Sequence, residues 1–457
     1  MFIKKIFPKS ILNLRHLFFA WYGAWKYNQP SEDLIVIGIT GTSGKSSTVY
    51  FMRKCLEALG YTVGSLSTID FYIDGQDQLN NQKMTMLGKM QTQKYLRKMV
   101  KAGCDIAIVE TTSEGAVQYR DRYICYDFMI LTNLYPEHIE SHGSYENYVK
   151  AKMGIVKRAG LTKRKNIAQL LPTTIKKIKN KYATSVPKIV FINGEVAEAE
   201  EFLKLGNYDW KVMFGQSEKL TVPESSVNTP YLMSHLQSRE QGIAFKVEDV
   251  QYQAPLYGVH NAYNLTVAIA VLRELGATKL EAQGVIATCT NAPGRNEFIS
   301  EAETKGFKVI VDYSFEPKAM GALYEVVKLL SPKKIIHVFG STGGGRDVSR
   351  RFSVGELVGT NADVCVVTDE DPYDDEPMKI MNDVAEAVRK TGKKDNENLF
   401  IIPDRRAAIA KALSIAGPND LVLVTGKGSE QAIVVAGGKK IPWDDRQVVR
   451  EELAKLL

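Results

Sequence analysis

No two of the five cysteines, Cys55, Cys104, Cys125, Cys289 and Cys365, stand in a C-x-x-C pair. An odd, scattered set argues against a disulfide framework and against a zinc site, and it reads as reduced thiols in a cytoplasmic protein. Long apolar runs are also missing. Ile11 to Tyr27 is rich in Leu, Phe, Trp and Tyr, but Arg15, His16 and Lys26 interrupt it, and the uninterrupted part is too short to span a bilayer. No small-residue cleavage site follows a clean apolar core, which argues against a signal peptide. The favoured reading is an amphipathic helix packed on the next domain. Contact with a membrane surface, through Lys4, Lys5, Lys9 and the aromatic residues, is possible but not favoured. Internal repeats are absent. No aromatic interleaving and no known binding module accompany the basic stretch Lys157 to Lys188, so nucleic acid is not an expected partner.

What is present is ordinary for a soluble globular chain: 44% hydrophobic and 24% charged residues over 457 positions, enough for two or three domains. Much of the net charge of +7 sits between Lys157 and Lys188, as in Lys163-Arg164-Lys165. A solvated surface explains it, and anionic ligands such as nucleotides would also favour it.

The most informative stretch is Gly38-Ile39-Thr40-Gly41-Thr42-Ser43-Gly44-Lys45-Ser46-Ser47. The apolar run Leu34 to Ile39 leads into it and an amphipathic pattern, Thr48 to Leu59, follows. Strand, glycine loop and helix in that order are what a phosphate-binding loop needs. Glycines let backbone N–H groups turn toward phosphate oxygens, and the helix N-terminus adds partial positive charge. Lys45 would reach the β/γ phosphates of ATP and the Ser46 hydroxyl would hold Mg²⁺. The glycines are spaced three apart, at 38, 41 and 44, and Ile39 stands where the strict pattern has glycine. The bland alternative is a turn that only joins strand to helix.

Strands and helices alternate from residue 34 to about 295. Asp105–Glu110 and Tyr126–Asn133 read as buried strands of a parallel sheet. Ligands sit at the carboxyl ends of such strands, so Glu110, Asn133 and the glycine loop can converge on one site. Tyr182 to Lys246 is less regular and reads as decoration, whereas His260 to Leu275 reads as a helix. A second α/β pattern begins near residue 300, with strands expected at 307–312, 334–340, 363–368 and 420–425. Asn291-Ala292-Pro293-Gly294-Arg295 reads as a hinge. The expected fold class is α/β: a helical segment over 1–33, a central P-loop ATPase domain with a parallel-type sheet over 34–296, and a C-terminal Rossmann-like domain over 297–457.

The ordered set GITGTSGKSS, ETTSEG, TNLYPEHIESHG with YVKAK, GVHNAYN, APGRNE, VDYSFEP, FGSTGGGRD, TDEDPYDDEP and TGKGSE resembles the Mur ligase family, and within it the enzymes that add the third amino acid of the peptidoglycan stem. The resemblance runs from about residue 34 to the C-terminus. It implies a cytoplasmic ATP- and Mg²⁺-dependent ligase, expected as a monomer. Such a ligase phosphorylates the carboxylate of a muramoyl-peptide-type acceptor to an acyl phosphate, which an amino acid attacks through its amine. In the motif, Gly41, Thr42, Ser43, Gly44, Lys45, Ser46 and Ser47 would hold ATP. The resemblance further implies a Mg²⁺ environment of Ser46, Glu110 and His138. Lys152 matches a lysine that is carbamylated in many members and can then serve a second Mg²⁺. Asn261 and Asn264 would approach adenine, Arg295 the phosphates on domain closure, and Asp312 the ribose. Thr85, Ser113, Gln118 and Arg120 fall where the family binds its muramoyl acceptor. Arg346, Asp371, Tyr373, Gly426 and Glu430 fall where the incoming amino acid is held: Arg346 at its α-carboxylate, acidic groups at an amino group. For these residues caps, turns and surface pairs are the bland alternatives; for Lys152, a surface lysine.

Departures from the family pattern shape the expectation. Only 37 residues precede Gly38, too few for the UDP-binding domain of the family's tripeptide synthetases, so the acceptor is expected to be held differently or to be another molecule. The family's Asp-Asn-Pro-Arg appears as Glu370-Asp371-Pro372-Tyr373. Tyr373 cannot form a guanidinium–carboxylate pair, so diaminopimelate is less favoured than lysine, ornithine or another amino acid. Ser429, Phe315 and Glu114 stand where histidines are usual. Rival readings are a folylpolyglutamate- or cyanophycin-type ligase, an amidation enzyme acting on a lipid-linked precursor, and a non-catalytic nucleotide-binding regulator.

Overall fold

In the computed structural model the apolar run after Asp33 forms a strand, β1 (Ile35–Thr40), with every residue buried. Residues 9–80, 82, 84–137, 142–178, 180–223, 226–345 and 348–456 are described. The chain divides into two units, Met1–Gln237 with Gln241–Thr290, and Ser238–Glu240 with Asn291–Leu457.

The first unit is built on a sheet whose central strands are parallel. Its further strands are β2 (Val63–Leu66), β3 (Asp70–Ile73), β4 (Gln76–Leu79), β5 (Ile106–Glu110), β6 (Phe128–Leu131), β7 (Ile189–Asn193), β8 (Trp210–Gln216), β9 (Thr229–Arg239), β10 (Gly242–Val247) and β11 (Val250–Ala254), in the order β11-β10-β9-β8-β7-β6-β1-β5-β2-β3-β4. From β2 through β5, β1, β6, β7 and β8 to β9 each neighbouring pair is parallel. Antiparallel pairs close both edges. The segment from Tyr182 to Lys246, expected as decoration, instead extends this sheet with β7, β8, β9 and β10. In β8 and β9 exposed and half-buried residues stand among the apolar ones and mask the strands, whereas β7 is buried throughout and its apolar run 189–192 was overlooked.

The described helices that matter for the site are α1 (Lys9–Lys26), α2 (Lys45–Ala58), α3 (Lys89–Lys101), α4 (Ser113–Val117), α5 (Tyr145–Gly160) and α6 (His260–Glu274). Side chains alternate across a strand. Ile35, Ile37 and Ile39 therefore enter one core with Met52, Cys55 and Leu56 of α2 and Leu265 and Ile269 of α6. Val36 enters the other, with Leu96 and Met99 of α3 and Tyr148 and Ile155 of α5. Two covered faces explain why β1 is apolar throughout. They also leave the carboxyl end of the strand as the place where the chain must turn.

The second unit carries β12 (Glu297–Phe298), β13 (Lys308–Asp312), β14 (Ile335–Phe339), β15 (Val364–Val367), β16 (Leu399–Ile401) and β17 (Leu421–Thr425), in the order β12-β13-β17-β14-β15-β16. All but the β12 edge pair are parallel. A hairpin, β18 (Ala432–Val435) and β19 (Lys439–Pro442), follows.

His337 on β14 is fully buried between the Tyr324 hydroxyl, 2.7 Å from Nδ1, and the Thr425 hydroxyl, 2.9 Å from Nε2. Burial pushes its imidazole down to about 3 from the usual 6.5. Between those values the unfolded chain binds a proton that the folded unit does not, so stability rises with pH across the window and is lost as pH falls through it. The loss amounts to about 4 kcal/mol by pH 3. His337→Gln is expected to flatten the pH dependence of urea unfolding in this window by about one proton. An unchanged slope would contradict the assignment.

Candidate active site

Gly41 and Gly44 turn the chain after β1, with φ of +148° and +75°. A Cβ on Gly41 would lie 1.9 Å from Thr132 Oγ1, and one on Gly44 2.7 Å from Asn264 Oδ1, so both positions require glycine on space as well as on φ. The loop is fixed from the end of β6. Asn133 Oδ1 accepts from the N–H of Thr42 at 3.1 Å and of Ser43 at 2.9 Å, and Thr132 Oγ1 donates to the Ser43 carbonyl at 2.8 Å. Ser46 and Ser47 then begin α2, whose N-terminus carries no side-chain cap. An uncapped helix N-terminus behind a glycine turn suits an anion.

Glu110 ends β5 and is buried. The Ser46 hydroxyl lies 3.0 and 3.1 Å from its two oxygens, and the Thr68 N–H donates to Oε2 at 2.8 Å. The Thr68 hydroxyl sits 3.1 Å from the same Oε2 and 3.0 Å from the Thr85 hydroxyl. Ser46 and Glu110 are thus brought together as the sequence implied, with Thr85 one step away. Thr68 was not anticipated; nothing in its local sequence separates it from an ordinary turn residue.

Two ammonium groups meet the loop's backbone. Lys45 donates to the carbonyls of Gly41 at 3.0 Å and Thr42 at 2.8 Å, and Lys152 donates to the same Gly41 oxygen at 2.7 Å. Lys152 lies on the buried face of α5, one turn after Tyr148, with its nitrogen 4.6 Å from the Tyr148 ring centre. The Tyr148 hydroxyl in turn donates to Thr42 Oγ1 at 3.0 Å. Burial, reinforced by the Lys45 charge and opposed by Glu137, pushes the Lys152 amine well below the usual lysine range. Burial thus disfavours the ammonium form relative to the free amine, which is the nucleophilic form.

His138 lies outside the described residues. His142, in the same motif but not singled out, places Nε2 3.1 Å from Ser113 Oγ, and burial lowers its imidazole. Around α4, Arg120 donates to the Met86 carbonyl and, at 2.8 Å, to Gln118 Oε1. Gln118 and Arg120 are thus brought together, while the Ser113 hydroxyl pairs with His142. On α6, Asn264 Nδ2 donates to Asn261 Oδ1 at 3.2 Å, and Asn264 Oδ1 accepts from Thr48 at 3.1 Å. Both asparagines are nearly buried and brace α6 against α2.

In the second unit Asp312 ends β13 and accepts from the N–H groups of Asn296 and Ser314, both at 2.7 Å. The Arg295 guanidinium lies 4.1 Å from the Tyr313 ring centre. Arg346 lies outside the described residues. Asp371 and Glu430, expected at an amino group of the incoming amino acid, both hold the ammonium of Lys427: Asp371 at 2.9 Å through each oxygen, Glu430 at 2.5 Å. A fully buried lysine demands such counter-charges. Asp371 also accepts from the Val434 N–H at 2.7 Å. Tyr373 has φ +53° and its ring packs on Gly344, where a Cβ would lie 2.7 Å from Tyr373 Cγ. Gly426 is pressed on Glu370, 2.5 Å from Oε2 to a Cβ. Burial raises the Glu370 carboxyl to about 7 against the pull of Arg405 and Lys427. Lys427 and Glu370 stood in quoted motifs but had been given no role.

The residues fit the groups such a site would take. Ser46, Glu110 and Thr68 offer hard oxygen donors, the set Mg²⁺ prefers. Among the described residues no group of three or more His, Cys, Asp or Glu side chains is placed to hold a metal ion.

Known proteins match both halves of the chain. The Mur ligase middle domain matches residues 39–272, and the Mur ligase glutamate ligase domain matches residues 294–428. A UDP-N-acetylmuramyl-tripeptide synthetase from Borreliella afzelii is 30% identical over 437 residues, covering 94% of this chain and 79% of that protein. A UDP-N-acetylmuramoyl-L-alanyl-D-glutamate–2,6-diaminopimelate ligase from Aquifex aeolicus is 30% identical over 427 residues, covering 93% and 79%. Among solved structures, a UDP-N-acetylmuramoyl-L-alanyl-D-glutamate–2,6-diaminopimelate ligase superposes with a TM-score of 0.59 at 22% identity, over 92% of this chain and 78% of that one. A folylpolyglutamate synthase from Mycobacterium tuberculosis gives 0.65 at 17%, over 90% and 93%. The two superpositions speak for the fold alone. With both domain patterns and the sequence relatives in agreement, the chain belongs to the Mur ligase family.

Proposed function

We propose that this chain is an ATP-dependent carboxylate–amine ligase that adds an amino acid to a muramoyl-peptide-type acceptor in peptidoglycan synthesis. The observation that carries the reading is the cluster at the uncapped start of α2, where Ser46, Glu110 and Thr68 gather oxygens beside the loop on which Lys45 and Lys152 converge. Phosphorylating a carboxylate brings two anions together, and positive charge must offset their repulsion. Lys45 supplies one charge at the loop. Ser46 and Glu110, with His138, would hold Mg²⁺, which when bound offsets further phosphate charge. Lys152, whose ammonium form burial disfavours, can give up its proton and take up CO₂ as a carbamate with loss of a second proton, changing from cation to anion. Asn261, Asn264, Arg295 and Asp312 are the proposed ATP contacts outside the loop. Thr85, Ser113, Gln118 and Arg120 are the proposed acceptor contacts.

For the incoming amino acid we assign Arg346, Tyr373, Gly426 and the Lys427–Asp371–Glu430 group. Tyr373 in place of arginine favours lysine, ornithine or another amino acid over diaminopimelate. All five cysteines are free and buried, in keeping with a cytoplasmic setting. The test offers ATP, UDP-N-acetylmuramoyl-dipeptide and each candidate amino acid in turn, with the product followed by mass spectrometry. The reading expects a mass gain equal to one amino acid less water, with one choice strongly preferred. ATP turnover indifferent to every amino acid would overturn it. Turnover that needs an amino acid but ignores the UDP-sugar would reassign the acceptor.

A further inference from the structure

Helix α1 is packed the wrong way round for a helix whose only task is to cover its own domain. Among its described side chains, the residues it buries are small: Ala20, Gly23 and Ala24. They let it lie close on α3, where a Cβ on Gly23 would come within 3.1 Å of the Met90 backbone. The large apolar residues face out. Leu14, Phe18, Trp21 and Trp25 are 70%, 53%, 47% and 64% exposed. Their spacing of four, three and four residues places them on one face. The rings order one another: Trp21 stacks on Trp25 at 6.4 Å and Phe18 on Tyr22 at 6.1 Å.

Charge identifies the occupant of this ridge. No Asp or Glu occurs before Glu32, whereas Lys4, Lys5, Lys9, Arg15 and Lys26 do. Helix α3, packed beside it, adds Lys89, Lys94, Arg97, Lys98 and Lys101 and again no acid. Arg15, Lys26, Lys94, Lys98 and Lys101 are exposed. A second copy of this chain would bring two like-charged layers together, which disfavours a dimer through this face. An anionic lipid surface answers both features: aromatic rings settle at the headgroup boundary and the cations meet the lipid charge. None of the described helices is long and apolar enough to cross a membrane, so the contact is one of lying on the surface.

We propose that the exposed face of α1, Leu14, Phe18, Trp21 and Trp25, with the basic layer of α1 and α3, docks this protein on an anionic membrane surface. The assignment is independent of the ligase reading. The test is sedimentation of the full chain with vesicles of phosphatidylglycerol and phosphatidylcholine in equal parts, and with phosphatidylcholine alone. Binding to the anionic vesicles is expected, at least about tenfold stronger than to the neutral ones and weakened by salt. Phe18→Ser/Trp21→Ser/Trp25→Ser should lower it by about 100-fold or more. That variant changes only exposed side chains, and circular dichroism checks its fold. Lys94→Glu/Lys98→Glu, on a different helix, should also lose anionic binding. No binding by the unaltered chain, or equal binding by the serine variant, would overturn the proposal. So would self-association that the serine variant abolishes while vesicles bind nothing, which would assign the ridge to a second copy.

Discussion

Lys45→Ala is expected to lower ATP turnover by about 1,000-fold or more while the protein remains folded. The ammonium sits over the carbonyls of Gly41 and Thr42, at the mouth of the turn that the glycines force. In the proposed reading, its removal deletes a positive charge from the loop that would hold the transferred phosphoryl group. The fold is expected to survive because Gly41 keeps its hydrogen bond from Lys152, and the loop keeps its ties to Asn133 and Thr132. A second consequence separates this substitution from a general loss of activity. Lys45 is one of the charges that depress the Lys152 amine. Without it, Lys152 should titrate at higher pH and take up less CO₂, so ¹³C-bicarbonate labelling should fall in the variant. Wild-type turnover in a folded Lys45→Ala protein would remove the loop from the chemistry.

Glu110→Gln is the second large effect, about 100- to 1,000-fold in turnover. The carboxylate accepts from Ser46 and from both donors of Thr68, and an amide with its oxygen in the Oε2 position can keep these bonds while its NH₂ faces the Ser46 hydroxyl, so the substitution removes the charge with little change in shape. Glu110→Asp keeps the charge but shortens the reach and should fall between the two. The reading expects both variants to need more Mg²⁺ for half-maximal turnover. An unchanged Mg²⁺ dependence would show that Glu110 serves only to brace α2 against β5.

How far the sequence could be read follows from the physics of each residue. The loop and β1, β5 and β6 were legible because strands buried on both faces are apolar runs, and because a phosphate turn needs glycines at fixed spacing. Glu110 was legible by its place at the end of such a run. The strands β8 to β10 were not, since exposed and half-buried positions break their pattern, whereas β7, an apolar run buried throughout, carried the signal and was missed. Lys152 was identified by resemblance, yet only packing shows it buried beside Tyr148 and sharing an acceptor with Lys45. Thr68 reaches Glu110 across 42 residues of chain, and no local pattern encodes a contact of that span. Lys427 stood inside a legible motif, but its pairing with Asp371 and Glu430 depends on the burial of Lys427 and Asp371 beside a half-buried Glu430, which composition does not reveal.

The central claim is that ATP phosphorylates the acceptor's carboxylate before the amine attacks. An acceptor labelled with ¹⁸O in that carboxylate tests it most directly. In the acyl-phosphate route a carboxylate oxygen becomes the bridge to phosphorus and leaves with the phosphate when the amide forms. The account predicts one ¹⁸O in the inorganic phosphate for each amide made. Phosphate free of label, with label kept in the acceptor or carried into AMP, would contradict it.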